Sequence, residues 1–150
     1  MQEILPKFGE RHYYVMELKR RILDIIGGER YQYSEVETSL LKDKLSYCED
    51  HLELQSIIAP GLTEYRAYIS LHYAETLYWA MVRGVQLDRP SGDLVDLAME
   101  HLDMVTRIWG DYRVGSVERS RMEEAEVIRN QLLAEFDANH GHTKESRNVA

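Results

Sequence analysis

The sequence predicts an all-α fold of about five antiparallel helices stacked as irregular helical hairpins. Two observations carry this. Apolar residues recur at intervals of three and four through most of the 150 residues, and no alternating apolar-polar run flanked by turn signals marks a strand. The organising stretch runs from Leu40 to Met81 and reads as two long helices hinged at Pro60-Gly61. Proline cannot donate the hydrogen bond a continuing helix needs, and glycine relaxes the backbone for a redirection.

Taken in order, the first helix is expected from about Glu10 to Ile26, with Met16, Leu18, Ile22, Leu23 and Ile26 on its apolar face and Gly27-Gly28 as its stop. Ser34 with Glu37 three residues later has the form of a capping box and predicts the start of the second helix. Leu41, Leu45, Cys48, Leu52 and either Gln55 or Ile57-Ile58 supply its buried face. Lys42, Asp43, Lys44, Glu49, Asp50 and Glu53 form the opposing polar face. Thr63 is placed to cap the third helix. That helix is apolar or aromatic around much of its circumference, through Tyr65, Tyr68, Ile69, Tyr73, Leu77 and Met81, and so is expected in the middle of the domain.

Gly84 closes the third helix and residues 85–92 form a loop. Ser91 or Asp93 is expected to cap a fourth helix, whose face runs through Leu94, Ala98, His101, Leu102 and Val105 to Gly110. Gly115-Ser116 prepares a fifth, amphipathic through Met122, Ala125, Ile128, Leu132 and Phe136. The domain is therefore expected over residues 1–136, with 137–150 a flexible tail too polar to offset the entropy of ordering. Helix starts recurring every 25 to 30 residues or so suggest a stack like that of tetratricopeptide repeats, without their strict 34-residue period.

A net charge of −8 with mixed signs argues against non-specific nucleic-acid binding, which needs a basic surface. The one basic cluster, Lys19-Arg20-Arg21, reads as a solvated helix face. No apolar run is long enough to cross a membrane. The single cysteine, Cys48, has no internal disulfide partner, and a reducing cytoplasmic or nuclear setting is expected.

The sequence carries little that resembles a catalytic or metal-binding pattern. His72 with Glu75, and His101 between Glu100 and Asp103, are the nearest approach to a metal constellation, yet nothing fixes four ligands at a recognised spacing. Half-buried histidines bonded to nearby polar groups are the simpler reading. His140 and His142 form a short metal-like pair on the tail. Cys48 lies on an apolar face, where a thiol acts as a small hydrophobe. No cofactor site is expected in this chain.

HYYVMELKRRILDIIG at His12 to Gly27 and LLKDKLSYCEDHLELQSIIAPGLTEYRAYISLHYAE at Leu40 to Glu75 carry a resemblance. The residues involved are His12-Tyr13, Lys19-Arg20, Leu23, Gly27, Lys44, Cys48, Leu52, Pro60-Gly61, Arg66 and Leu71-His72. In these the chain resembles the C-terminal helical region of SET and MYND domain lysine methyltransferases, particularly the divergent arthropod SMYD-like group. The resemblance covers about half of the chain. It implies a TPR-like domain that walls the substrate cleft of a neighbouring SET domain and, in some members, binds chaperones or other partners. The family's S-adenosylmethionine motif, catalytic tyrosine and zinc-binding cysteines have no counterpart here, so methyl transfer would belong to a longer parent protein of which this chain is a C-terminal fragment or remnant.

The expected activity is therefore non-catalytic protein interaction. Arg66, His72, Glu75, Tyr78 and Trp79 on the third helix are the candidate partner-binding residues. A stand-alone helical adaptor and a small helical metal-binding protein using His72, Glu75 and His101 are the alternatives.

Overall fold

A computed structural model describes residues 13–137. The expected helix start near Glu10, the tail from Ala138 onward and the His140/His142 pair lie outside the described residues. Among the described residues five α-helices follow one another: α1 (Tyr13–Ile25), α2 (Thr38–Ile58), α3 (Glu64–Val82), α4 (Ser91–Trp109) and α5 (Val117–Leu132), with a π-helical turn at Leu133–Asp137. The fold is all-α. Among the described residues the sole β feature is an isolated bridge between Ile26 and Tyr31.

Each helix packs on the next, and α5 also returns to touch α3, so α3 meets α2, α4 and α5. Its composition explains the position: ten of its 19 residues are buried, including Ala67, Ile69, Ala74, Leu77 and Ala80. The main core joins these to Leu45 and Cys48 of α2, Leu102 and Trp109 of α4, and Met122 and Leu132 of α5. Ile26, Tyr33, Val36 and Leu41 form a smaller cluster under the α1–α2 connector.

The expected stops and caps hold at several corners. Gly27 and Gly84 take left-handed conformations (φ +95° and +66°) that other residues rarely adopt. Thr63 Oγ1 accepts from the Arg66 amide, and Ser116 Oγ accepts from that of Arg119, each at 3.1 Å.

Three expectations fail. The Ser34/Glu37 capping box does not start α2; the helix begins at Thr38 after Glu37, whose side chain makes no capping bond. Residues 32–36 form a turn instead, in which Gln32 O accepts from the amides of Glu35 and Val36. Arg83, the residue that caps the C-terminal end of α3, donates to the carbonyls of Tyr33 and Val36 and pins that turn from outside, so tertiary contact overrides the local signal. The fourth helix has neither Ser91 nor Asp93 as its cap: it starts at Ser91 directly after Pro90, with no side-chain cap.

Of the two alternatives for the end of the buried α2 face, Gln55 is half-buried, whereas Ile57 and Ile58 are 64% exposed. The third failure concerns lysines. Lys44 and Lys19, both assigned to solvated faces, are 0% and 4% exposed. Lys19 Nζ bonds Asp50 Oδ2 of α2 at 2.7 Å, and the partners of Lys44 belong to the site below.

Candidate functional site

α2 and α4 pack on α3, and one stripe of that helix stays half-buried: Tyr65, Tyr68, His72, Glu75 and Trp79. Their spacing of three, four, three and four residues places them along one helical face. α1 reaches this face from one side and α5 from the other. The Tyr68 hydroxyl donates to Asp24 of α1, and His72 Nε2 lies 3.5 Å from the same carboxylate. Arg20 of α1 stands 3.6 Å from Asp24 and forks onto Glu17 at 2.9 and 3.0 Å. From α5, the Arg121 guanidinium lies 5.6 Å from the centre of the Tyr68 ring. The result is a half-buried aromatic strip on α3 flanked by charged side chains of α1 and α5, which we term the α3 channel, its floor being the strip and its walls the flanking charges.

Ring contacts run along the floor. His51 of α2 meets Tyr65 edge-on at 5.9 Å, Tyr65 meets Tyr68 at 6.0 Å, and Tyr68 meets His72 edge-on at 4.7 Å. At the far end Trp79 stacks on Tyr33 of the α1–α2 connector, 6.1 Å apart and 8° from parallel. The floor is held from below by a directional chain of hydrogen bonds. Lys44 Nζ donates to Leu23 O (2.7 Å), Ile26 O (2.5 Å) and the Tyr33 hydroxyl (2.6 Å), which uses all three ammonium protons. Tyr33 can then donate to Thr76 Oγ1 (3.3 Å), and Thr76 donates to His72 O (2.6 Å). Because the two carbonyls lie at the C-terminal end of α1, the cation also complements that helix's dipole.

Burial pushes the Lys44 ammonium down to about 8 and the Cys48 thiol up to about 12, which leaves that thiol inert packing. Burial also raises Glu75, against the opposing pull of Lys44. Asp24 is held down to about 2, first by its hydrogen bond from His72 and then, after opposing desolvation, by that from Tyr68. His51, His72 and His101 all fall below their ordinary 6.5 through burial.

These three histidines fix an acid dependence. The unfolded chain takes up their protons near pH 6.5 while the folded chain resists, so the stability present above that pH is lost as the pH falls. Asp24 acts in the same direction at lower pH. Glu75 opposes, because the folded form holds its proton to higher pH. With three histidines against one carboxyl, the urea midpoint is expected to fall between pH 7 and pH 5. A flat or rising midpoint would contradict the buried neutral histidines.

Of the residues singled out in the sequence, the structure brings His72, Glu75 and Trp79 together on the stripe. Arg66 and Tyr78 lie elsewhere. Arg66 donates to Gly61 O at the α2–α3 corner (3.0 Å), and Tyr78 is 6% exposed with its hydroxyl on Glu135 after α5 (2.7 Å). His101 faces Ser70 and Tyr73, whereas His72 faces Asp24 and Tyr68, so the two imidazoles serve different seams. No group of three or more His, Cys, Asp or Glu side chains able to hold a metal occurs among the described residues. Tyr65 and Tyr68, named in the sequence only as part of the apolar and aromatic circumference of the third helix, form two of the five floor positions, and nothing in the local pattern marked Asp24 and Arg121 as its walls.

No protein-family model, curated protein or solved structure matches the chain. What the structure defines is a class, an all-α chain in which each helix packs on the next.

Proposed function

We propose that the chain is a non-catalytic helical protein-interaction domain whose α3 channel holds a segment of a partner protein or of a neighbouring domain. The observation that carries this reading is the stripe Tyr65-Tyr68-His72-Glu75-Trp79. It is the half-open face of the most buried helix, it is rich in aromatic rings, and charged side chains on α1 and α5 flank it. Aromatic side chains provide large contact area at low entropic cost, and a face fixed by the Lys44–Tyr33–Thr76 chain is ordered before a partner arrives. On the SET/MYND resemblance the occupant would be the neighbouring SET domain, with the channel walling its substrate cleft. For a stand-alone adaptor it would be a peptide segment of another protein, a chaperone among them.

Two tryptophans provide the test. Trp109 is 2% exposed and already shielded, so acrylamide quenching of the intrinsic fluorescence reports mainly on half-buried Trp79. A pool of capped random peptides retained by the immobilised chain is expected to reduce that quenching. Retention with quenching unchanged would place binding elsewhere, and absence of retention would count against the reading.

A further inference from the structure

Arg121 differs from the other half-buried arginines among the described residues. Each of those donates to an oxygen: Arg20 to Glu17, Arg66 to Gly61, Arg83 to Tyr33 and Val36, Arg119 to Gly110, and Arg129 pairs with Asp103. Arg121 has no oxygen acceptor among the described residues. Its guanidinium is instead held by two rings, 5.6 Å from the centre of Tyr68 and 5.7 Å from that of Trp109. Both distances suit cation–π contact. Such contacts use the face of the planar group and leave its N–H edge, the part that forks onto carboxylates, without a partner. The side chain is half-buried, and Tyr68, on which it rests, belongs to the channel floor.

We propose that Arg121 anchors an acidic side chain of the segment bound in the channel, its guanidinium edge donating to that carboxylate. The assignment rests on the channel reading above and adds the chemistry of the occupant. An Arg clamped between rings has already lost much of its rotamer freedom, so a carboxylate meets a donor fork in place. Charge complementarity selects the occupant: Asp24 is taken up by Tyr68, His72 and Arg20, and Glu17 by Arg20 and Arg21, so these acids of α1 leave the Arg121 edge to a carboxylate of the occupant. The chain's net charge of −8 repels acidic segments in general, so a preference for one must come from a local cation.

The test uses two fluorescent pools of capped pentapeptides, one with Glu fixed at the centre and one with Gln, flanked by random uncharged residues. The immobilised chain is expected to hold the Glu pool about tenfold more tightly than the Gln pool, as a charge-assisted fork allows. Arg121→Gln should bring the two pools level, and Arg121→Lys, which keeps the charge and loses the fork, should restore part of the preference. Circular dichroism checks that the variants remain helical; if Arg121→Gln does not fold, the reduced preference of Arg121→Lys carries the result. Equal retention of both pools with Trp79 still protected would overturn the Arg121 assignment and leave the channel reading intact. An unchanged preference in Arg121→Gln would overturn it too. Failure to retain either pool, with Trp79 quenching unaltered, would overturn both.

Discussion

Lys44→Met is expected to lower the free energy of unfolding by about 3–5 kcal/mol, the cost of leaving buried partners of a charge unmatched. The ammonium sits at zero exposure and satisfies Leu23 O, Ile26 O and the Tyr33 hydroxyl together. Methionine fills a similar volume but donates nothing, so two carbonyls and a hydroxyl lose a donor and Glu75 loses the nearby cation that opposes its burial. Against a total stability of roughly 5–15 kcal/mol this is a large fraction, and Tm should fall by about 10 °C or more. Lys42→Met, two residues away and exposed, should change stability by no more than about 0.5 kcal/mol. Urea unfolding followed by circular dichroism measures both. A Lys44→Met midpoint within error of the Lys42→Met value would mean that this ammonium does not hold the α1 terminus.

Gly27→Ala should cost about 3 kcal/mol or more, from two sources that a second substitution separates. Gly27 has φ +95°, where a Cβ costs about 1–2 kcal/mol by itself. The added Cβ would also lie 2.3 to 2.9 Å from three carbons of the Tyr33 ring, closer than any real contact, and overpacking of this kind adds about 1–3 kcal/mol. Gly61 has φ +120° with nothing within 4 Å of its would-be Cβ, so Gly61→Ala should show the backbone cost alone. Because Tyr33 stacks on Trp79, Gly27→Ala should also alter Trp79 fluorescence in the folded protein, and Gly61→Ala should not. Equal destabilisation by the two would mean that Tyr33 does not lie against Gly27.

How far the chain could be read in advance depended on whether its signals were local. The central place of α3 was legible because a helix so short of charge has no face to give entirely to water. The Thr63 and Ser116 caps and the Gly27 and Gly84 stops were legible because each acts within a few residues. Lys44 was not. Binary patterning counts lysine as polar, whereas its acceptors lie 18 and 21 residues earlier, at the end of another helix. The Ser34/Glu37 box failed in the same way, overridden by Arg83 some 50 residues later.

The site shows the same division. His72, Glu75 and Trp79 stood out on the third helix, while Tyr65 and Tyr68 were indistinguishable from core residues. Their half-exposure depends on where α1 and α5 run, and no local periodicity encodes that. Nothing in the sequence of α5 sets Arg121 apart from the other charges of an amphipathic helix. It becomes distinctive only once the two rings on which it rests are brought together by α3 and α4.

The channel itself is tested most directly by hydroxyl-radical footprinting of the chain, read residue by residue by mass spectrometry, with and without a bound capped-peptide pool. The free chain should be labelled at Tyr65, Tyr68 and Trp79 and spared at Tyr33, Tyr73, Tyr78 and Trp109. Bound peptide should then protect Tyr65, Tyr68 and Trp79 together and leave the exposed Tyr13, Tyr14 and Tyr31 unchanged. Protection confined to those exposed tyrosines, with the α3 stripe labelled as before, would contradict the account.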